Sequence, residues 1–581
     1  MDAAKNSRKE ITWRDWSSDA FDEASKKNRL VLLDLFAPWC HWCHVMDETT
    51  YSDPDIIEEV NENFVPVRVD IDRRPDISER YNRGGFPTTA FLSDRGESIW
   101  GATYIPPDDM KRIIKSVLAS KASGEVDQSL ERERMQFLDV SKALEKKESA
   151  DPAFVNATFE DIFSTYDVQW GGFGGNQKFP HPDVLDLLLY KYMEDEDDEL
   201  KDAVISTLDH MTTGLYDKVE GGVFRYSVTR DWREPHFEKM LETNLGFLRN
   251  LVHANQVLGQ DRFADTAKGV AKYLLGKLRD EETGALFSSQ DADETYYRLS
   301  PAERAHKNPP KVVEDIYSGW NCEAVSTLIQ AGVLLREREW IQAGKTAWKF
   351  VMEDLWNNDL GLVRHRKGEE LYLFEDQATF FEALLSLIEL SSEDDVEELL
   401  DLGERISSGV SRAFIHPDGG YGDVMIMKDA IGDLVEPRRS IVSNSKWARV
   451  SALFGVVTFK PERVDAARDI LISFHPKQVQ ANGLFSASYV QAWWTLERGP
   501  QLVEVHGAAD SDITEAQLWT EAKRALSLET IVMRNRKVGP MMPTAPKPFA
   551  VICRSTGCSK EIYDPSTLFS MLKGPTRVKS K

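Results

Sequence analysis

Two cysteines separated by two residues, Cys40 and Cys43, lie in the segment "VLLDLFAPWCHWCHVM" and offer the most specific chemistry in the chain. Cysteines at this spacing, here followed by His44, occur in c-type haem attachment, in zinc sites and in the dithiols of thioredoxin-like folds. Haem attachment fits poorly because the first residues lack the apolar segment of a secretory signal. A zinc site would need a second pair, and Cys553 and Cys558 follow only about five hundred residues later. A redox dithiol is therefore the favoured interpretation.

Dithiol chemistry requires one sulfur that attacks a disulfide and a second sulfur that resolves the product. Cys40 is predicted to begin a helix, where free backbone N–H groups and the positive end of the helix dipole favour a thiolate. Cys43 follows about one helical turn later, within reach of a mixed disulfide formed on Cys40. A protonated His41 would favour the thiolate further and make the pair more oxidising. The alternative is a thioredoxin-like fold with an idle dithiol.

The residues around the dithiol alternate between strand and helix patterns from about residue 10 to residue 120. "LVLLDLFA" is a continuous apolar run ended by Pro38, which is typical of a strand buried on both faces. "FVPVRVDID" predicts a second strand, and "TTAFLSD" with "SIWGATY" predicts an antiparallel pair. "DPDIIEEVNEN", "RPDISERYN" and "PPDDMKRIIKSVLAS" predict helices between and after these strands. From the first strand onward the order is β-α-β-α-β-β-α.

This order, with a dithiol between the first strong strand and its helix, resembles thioredoxin. Trp39 precedes the first cysteine, and Asp34 lies six residues before it on the buried strand. In thioredoxins an acid at that place manages protons. The segment "GGFPTT" places Pro87 where the thioredoxin family has a cis-proline. The resemblance implies a redox site made of Cys40, Cys43, Asp34, Pro87 and Trp39.

The remaining chain repeats one feature six times. Short glycine segments, most of them followed by aromatic residues, recur at intervals of 50, 63, 77, 58 and 64 residues. Each interval is long enough for a pair of helices, and helical periodicity of apolar residues fills the intervals. The spacing predicts six helical hairpins that either close into an (α/α)6 toroid or form an open solenoid, and closure is favoured. The glycines that begin the segments are Gly171, Gly221, Gly284, Gly361, Gly419 and Gly483.

These patterns predict a multidomain chain of α/β and all-α parts. Residues 1–122 form a thioredoxin-like domain, and residues 123–150 form a charged helical connector. Residues 151–500 form the toroid, and residues 501–581 form a small α/β appendage of alternating strands and helices. In that appendage Cys553 and Cys558 are expected to be a reduced loop pair, with a second redox pair as the alternative.

The resemblance extends to most of the chain. "GGFGGNQKFPHPDVLDLLL", "PHFEKML" after "GGVFRYS", "FSSQDADE" and "FEDQATFFEALL" look like successive motifs of one family. It is the thioredoxin-domain family that includes spermatogenesis-associated protein 20. The resemblance implies a second domain similar to N-acylglucosamine 2-epimerases and six-hairpin glycosidases.

The predicted toroid loops concentrate polar side chains of the kinds that sugar chemistry uses. Glycosidases need two carboxyl groups across the scissile bond, and epimerases need an acid and a base on opposite faces of a carbon. Acids beside glycine turns also cap helices, and that structural role stays open for each candidate. The candidates are Arg225, Tyr226, Trp232, His236, Glu238, Lys239, Asp291, Asp293, Asn321, Glu375 and Asp376.

Composition excludes several function classes. The net charge of −25 argues against nucleic acid and anionic membrane surfaces as partners. Apolar stretches are too short to cross a bilayer, and five cysteines with no visible signal segment suggest a reducing cytosol. Neither a cofactor nor a metal ion is predicted.

The favoured hypothesis is a thiol–disulfide redox protein fused to a carbohydrate-enzyme-like toroid. Its expected partners are a protein thiol or disulfide, or a small thiol, with a possible sugar ligand in the toroid. A first alternative makes the toroid the enzyme, a sugar 2-epimerase or a glycoside hydrolase, with the thioredoxin unit as a redox sensor or docking module. A second alternative is a binding protein without catalysis.

Overall fold

The computed structural model describes residues 10–126, 128–132, 150–391, 395–426, 430–507, 513–534, 547–554 and 557–573. The chain divides into two compact units. The first comprises Met1–Lys147 together with Val424–Arg438, and the second comprises the remaining residues. The first division therefore falls inside the predicted connector at 123–150, much of which lies outside the described residues. The segment Val424–Arg438, expected within the toroid, groups with the first unit instead.

The first unit has the predicted thioredoxin-like arrangement around a four-stranded sheet. The sheet order is β2-β1-β3-β4, with β1 parallel to β2 and antiparallel to β3. The elements are α1 (Ser18–Lys27), β1 (Leu30–Phe36), α2 (His41–Thr49), α3 (Pro54–Asn63), β2 (Phe64–Asp70), α4 (Pro75–Tyr81), β3 (Thr88–Leu92), β4 (Ser98–Ala102) and α5 (Pro107–Ser123).

Local sequence signals explain where these elements begin. Ser17 accepts a hydrogen bond from Ala20 N–H and caps α1, and Asp53 caps α3 in the same way. β1 is a central strand whose residues are buried on both faces except at its end, so its apolar run includes a single acid, Asp34. A carboxyl buried in this way needs a charged or hydrogen-bonding partner.

The segment Val424–Arg438 contacts α4 through backbone carbonyl groups. Arg80 donates from Nε to the carbonyl oxygen of Asp433 at 2.9 Å. Gly432 has a φ of 59° and lies so close to Gly96 that a β-carbon on Gly96 would sit 2.8 Å from its α-carbon. Both glycines are needed because larger residues would separate the two backbones.

Twelve of the described helices form a closed double ring in the second unit, which confirms the (α/α)6 toroid. Each inner helix packs against the next, and the last inner helix packs against the first. The inner helices are α7 (Pro182–Asp195), α9 (Leu241–Leu258), α11 (Ser318–Leu334), α13 (Phe374–Leu390), α15 (Ile441–Val457) and α17 (Ala487–Arg498). The outer helices are α6 (Pro152–Ser164), α8 (Asp198–Gly214), α10 (Asp261–Tyr273), α12 (Arg338–Phe350), α14 (Val396–Ala413) and α16 (Glu462–Ile472).

The repeated glycines turn the chain from each outer helix to the next inner helix. In the first turn Gly171 has a φ of 65° and donates its N–H to the carbonyl oxygen of Asp167 at 2.7 Å. The same bond recurs at Gly221, Gly284 and Gly361, whereas Gly419 donates to the carbonyl oxygen of His416, three residues earlier. After four of the turns, an amide side chain at the fourth residue of the following inner helix bonds both the N–H and the C=O of the turn. These amides are Asn244, Asn321, Gln377 and Asn444.

The loops at this end of the ring contain short elements. Two-residue strands are Tyr226–Ser227, Pro235–His236, Lys239–Met240, Ser289–Gln290, Val312–Val313, Trp356–Asn357 and Leu362–Val363. Short helical segments are Glu294–Tyr297, Pro301–Arg304, Pro476–Ala481 and Gly483–Ser486. Two outer helices are followed by short π-helical segments at Leu274–Leu278 and Val351–Leu355. In the first unit, Gly432–Leu434 forms one turn of 3₁₀-helix.

A small α/β appendage follows the ring, as predicted. Its sheet order is β6-β5-β7-β8, and α18 packs against α19. The Glu389 carboxylate of α13 accepts a hydrogen bond from the backbone N–H of Val532, so the appendage covers the far ends of the inner helices. The elements are β5 (Gln501–His506), α18 (Ile513–Arg524), β6 (Thr530–Arg534), β7 (Phe549–Arg554), β8 (Gly557–Cys558) and α19 (Pro565–Leu572).

The expectation that Cys553 and Cys558 are a reduced loop pair is wrong for this structure. The two residues stand directly opposite each other on β7 and β8, and their sulfur atoms are bonded. Direct opposition in an antiparallel pair brings the side chains together, which sequence spacing alone did not indicate.

Candidate functional site

The dithiol lies at the start of α2. Cys40 is the N-cap residue, and its sulfur is bonded to that of Cys43, with 5.2 Å between the α-carbons. The backbone N–H of Cys43 also points at the Cys40 sulfur, at 3.2 Å. Cys40 retains 5% exposure and Cys43 retains 2%. A helix N-terminus that directs an N–H group at the first sulfur is suited to stabilise a thiolate there.

Asp34 is a buried acid on β1, the strand that precedes the dithiol. Burial raises the pKa of this carboxyl to about 7, although the Arg68 guanidinium 3.0 Å away opposes the shift. The Tyr51 hydroxyl donates to Asp34 at 3.3 Å. Arg68 also bonds Asp47 at 2.7 Å and lies over the ring of Phe36. A carboxyl with this pKa can accept and release a proton near neutral pH.

Two further residues of the predicted redox site shape the surrounding loops. Trp39 is buried and donates its indole N–H to the Asp72 carboxylate at 2.6 Å. The Phe86–Pro87 peptide bond is cis, as the thioredoxin resemblance implied. Asn82 accepts hydrogen bonds from the two glycine N–H groups that precede this bond.

The residues between and after the cysteines face outward. Trp42 is 47% exposed and lies 5.3 Å, centroid to centroid, from the ring of Tyr104. His44 is exposed on α2. Across the described ranges, no group of three or more potential ligands is arranged to hold a metal ion.

Several toroid candidates support the loops. Trp232 is buried and donates to the carbonyl oxygen of Trp170 at 2.9 Å. Lys239 is buried against Asp217, and Asn321 bonds the turn backbone at Leu286. Asp293 caps a short helix, Asp291 accepts from the N–H of Ala292, and Asp376 bonds the His365 ring at 2.9 Å.

A second group of candidates forms an aromatic and carboxylate cluster at the mouth of the ring. The Tyr226 ring stacks between Phe179 at 4.5 Å and His236 at 4.9 Å. His236 Nδ1 bonds the buried carboxylate of Glu238, and Arg225 lies beside Tyr226. An imidazole held at Nδ1 by a carboxylate has its Nε2 directed elsewhere, the usual arrangement of a general base.

Three carboxyl groups of the inner helices have raised pKa values. Desolvation by the surrounding ring raises the pKa of Glu323 to about 7, and it also raises the pKa values of Glu242 and Glu375. Glu242 and Glu375 remain accessible to water, so they lie in the lumen rather than in the core. Lys446 interacts with both Glu323 and Glu375. Groups on four inner helices therefore converge on one lumen.

Below this cluster, ion pairs cross the ring. Arg249 bonds Asp183 at 2.6 Å and Asp186 at 2.8 Å, and His253 bonds Asp186 at 2.9 Å. Farther along, a cavity is lined by Tyr190 and His253 of the inner helices and by residues of the appendage. The lumen therefore opens toward the glycine-turn end and is closed by the appendage at the other.

Sequence reasoning missed Glu242, Glu323, Lys446 and Arg249. All four residues lie on inner helices. An acid near the start of a helix is also favoured by the helix dipole, so its position there does not by itself indicate a function. Their spacing could have helped, because Glu242, Arg249 and His253 are seven and four residues apart and share a helix face.

Sequence comparisons agree with the first unit. Residues 3–147 match the family Thioredox_DsbH, described as "Protein of unknown function, DUF255". The chain is 28% identical over 97 residues to thioredoxin of Mycoplasmoides gallisepticum, covering 16% of this chain and 90% of that protein.

A longer match reaches into the second unit. Spermatogenesis-associated protein 20 of Mus musculus is 30% identical over 354 residues, which are 56% of this chain and 43% of the mouse protein. The match thus spans less than half the length of this relative.

Among solved structures, the chain is similar to a sugar epimerase from a ruminal bacterium, with a TM-score of 0.46 and 11% identity. That similarity covers 54% of this chain and 85% of the epimerase. Within the described residues, no helix is both long and apolar enough to cross a bilayer. The comparisons confirm the resemblance to the spermatogenesis-associated protein 20 family, and the chain joins a thioredoxin-like domain to an (α/α)6 toroid.

Proposed function

We propose that this protein catalyses thiol–disulfide exchange at Cys40 and Cys43. The observation that supports this most directly is the bonded cysteine pair at the N-terminus of α2, next to a strand that buries one carboxyl group. A thiolate at Cys40 attacks a substrate disulfide, forms a mixed disulfide and releases one substrate thiolate. The Cys43 thiol then loses its proton and attacks the Cys40 sulfur, which releases the second substrate thiol.

Asp34 is the proposed proton acceptor for the second step. Its raised pKa lets the carboxylate take up a proton near pH 7, and the Tyr51 hydroxyl orients the carboxyl group. The reverse reaction returns this proton to the leaving Cys43 thiolate. Because five cysteines in 581 residues are few for a disulfide-built protein, we place this activity in the cytosol.

The mixed disulfide provides the test. Cys43→Ser is expected to accumulate a covalent complex with a disulfide-containing peptide, since Cys40 can attack and no sulfur can resolve the product. The complex would be detected by mass spectrometry without reductant. Cys322→Ser, which removes the buried free cysteine, is the matched control and should turn over normally. Equal trapping by Cys40→Ser would contradict the assignment of the nucleophile.

The lumen supports a second candidate function, acid–base chemistry on a polyhydroxylated substrate such as a reducing sugar. Its specific support is the His236–Glu238 pair at the mouth, together with carboxyl groups whose raised pKa values favour the protonated form. His236 would abstract a proton beside a carbonyl group, and Glu242 or Glu375 would supply one. This arrangement would serve carbohydrate epimerisation.

Deuterium incorporation tests this candidate. In D2O, an epimerase exchanges the hydrogen at the carbon that it inverts, and NMR of a panel of reducing sugars reports both events. His236→Ala is expected to abolish the exchange. Cys40→Ser should leave it unchanged, because Cys40 belongs to the first unit and the proposed sugar site belongs to the second. Exchange that survives in His236→Ala would rule out this role of His236, and loss in Cys40→Ser would show that the exchange depends on the dithiol.

A further inference from the structure

The Cys553–Cys558 disulfide lies on a short hairpin at the edge of the appendage sheet. β8 has two residues, pairs only with β7 among the described strands, and forms the edge. Cys553 is 3% exposed, whereas Cys558 is exposed. Cys558 is therefore the more accessible residue of the pair, so an attacking thiolate would approach its sulfur and the sulfur of Cys553 would be the leaving group.

This disulfide is poorly placed to stabilise the fold. It joins residues only five positions apart, and the stabilisation that a disulfide gives is smaller when the loop it closes is shorter. Hydrogen bonds already close the same hairpin, because Ser559 N–H donates to the Ile552 carbonyl at 2.8 Å and Ile552 N–H donates to Ser559 Oγ at 3.0 Å. These hydrogen bonds join the two strands in addition to the disulfide.

We propose that Cys553 and Cys558 form a second thiol–disulfide exchange site, which accepts two electrons from a dithiol of the Cys40–Cys43 class. The donor thiolate attacks Cys558 and forms a mixed disulfide, and Cys553 leaves as a thiolate that takes up a proton. The second donor thiol then loses its proton and attacks the donor sulfur of the mixed disulfide, which releases Cys558. The donor is oxidised to a disulfide, and the appendage pair is reduced to two thiols.

The donor can be the reduced Cys40–Cys43 pair of another copy, in which case the inference rests on the proposed function, or an unrelated thioredoxin-type dithiol. Both supply the same chemistry. In a reducing compartment the disulfides that occur are usually transient, catalytic or regulatory, which fits a reversible bond on an exposed edge. The reduced pair would reoxidise by the same steps in reverse.

The experiment uses two full-length variants. The acceptor carries Cys40→Ser with Cys43→Ser and retains the oxidised appendage pair. The donor carries Cys553→Ser with Cys558→Ser and is added after reduction and removal of excess reductant. Alkylation followed by peptide mass spectrometry measures the free thiols at Cys553 and Cys558. Parallel samples contain dithiothreitol or glutathione at the same thiol concentration, and donor activity is checked separately on insulin.

Both appendage thiols are expected to become labelled at least tenfold faster with the donor or with dithiothreitol than with glutathione. Buried Cys322 should stay unlabelled until the protein is denatured, which controls for unfolding. An active donor on insulin that leaves the pair oxidised, with dithiothreitol also ineffective, would overturn the inference and leave the proposed function intact. A donor inactive on insulin would instead refute the proposed function, and the dithiothreitol sample would then decide whether the appendage pair is redox-active.

Discussion

Replacing Asp34 with asparagine should slow thiol–disulfide exchange at pH 7 by about 10²- to 10⁴-fold, the usual effect of losing a positioned acid–base group. The step affected is the attack by Cys43, which needs a proton acceptor. The wild-type rate should rise through a transition near pH 7, where Asp34 ionises, and the variant should lack that transition. Stopped-flow oxidation of the reduced protein between pH 5 and pH 9 would measure both effects.

The same substitution should stabilise the protein at alkaline pH. Burial raises the pKa of Asp34 from 3.8 to about 7, so the folded state binds more protons than the unfolded state between these values. Stability contributed by this group is therefore fully present below pH 4 and is lost as the pH rises to 7. Above pH 7 the wild type keeps a buried charge that asparagine avoids. We expect Asp34→Asn to gain about 2–4 kcal/mol in free energy of unfolding at pH 8 and little at pH 4.

Asp47→Asn is the matched control, because Asp47 is the second partner of Arg68 but lies at the surface. It should keep the transition in the pH profile of exchange but move it toward lower pH, because the Asp47 charge helps to raise the pKa of Asp34. Its effect on the free energy of unfolding should be no more than about 0.5–1 kcal/mol. If Asp34→Asn exchanged at the wild-type rate, or were less stable than wild type at pH 8, Asp34 would be a structural partner of Arg68 and not a proton carrier.

Local patterns were sufficient to predict the first unit from the sequence. The cysteine spacing, the uninterrupted apolar strand and Pro87 each concern a few neighbouring residues, and these features determine the thioredoxin-like site. Arg68 and Tyr51 were not predicted, because their proximity to Asp34 depends on how β2 and the turn after α2 pack beside β1. No periodicity of charged residues encodes that packing.

Local sequence patterns predicted less of the ring than of the first unit. Its glycine repeat predicted the helical hairpins, but closure depends on the contact of α17 with α7, which are about three hundred residues apart. A similar non-local effect places Val424–Arg438 in the first unit, although its neighbours in sequence belong to the ring. Repeat spacing cannot encode contacts of this kind.

The loop candidates of the ring were ambiguous for a different reason. Lys239 and Trp232 have side chains suited to sugar chemistry, yet both are buried and bonded to turns. Polar residues beside glycine turns serve either the turn or a ligand, and only burial separates the two roles. Glu375 and Asp376 show this directly, since they are adjacent and only Glu375 faces the lumen.

Asp217 lies at the centre of a buried charge cluster. Its carboxylate accepts from Lys239 at 2.8 Å and from Arg304 at 2.7 Å, and both cations are almost fully buried. These cations hold the pKa of Asp217 below its usual range even though burial acts in the other direction. Asp217→Asn would leave two buried cations without their shared partner. We expect a loss of about 3–5 kcal/mol in free energy of unfolding.

The variants at the partner positions distinguish a structural cluster from a catalytic one. Lys239→Met should cost less than Asp217→Asn, because Asp217 keeps Arg304, and exposed Lys218→Met should change stability by less than about 0.5 kcal/mol. Guanidinium denaturation followed by circular dichroism would rank the three, with the helical signal reporting on the ring. If Lys239→Met were as stable as Lys218→Met, the buried lysine would have a chemical role and would not be needed to stabilise the turn at Gly221. The expected order, with Asp217→Asn the least stable, would instead assign the cluster to the architecture that positions the lumen carboxylates.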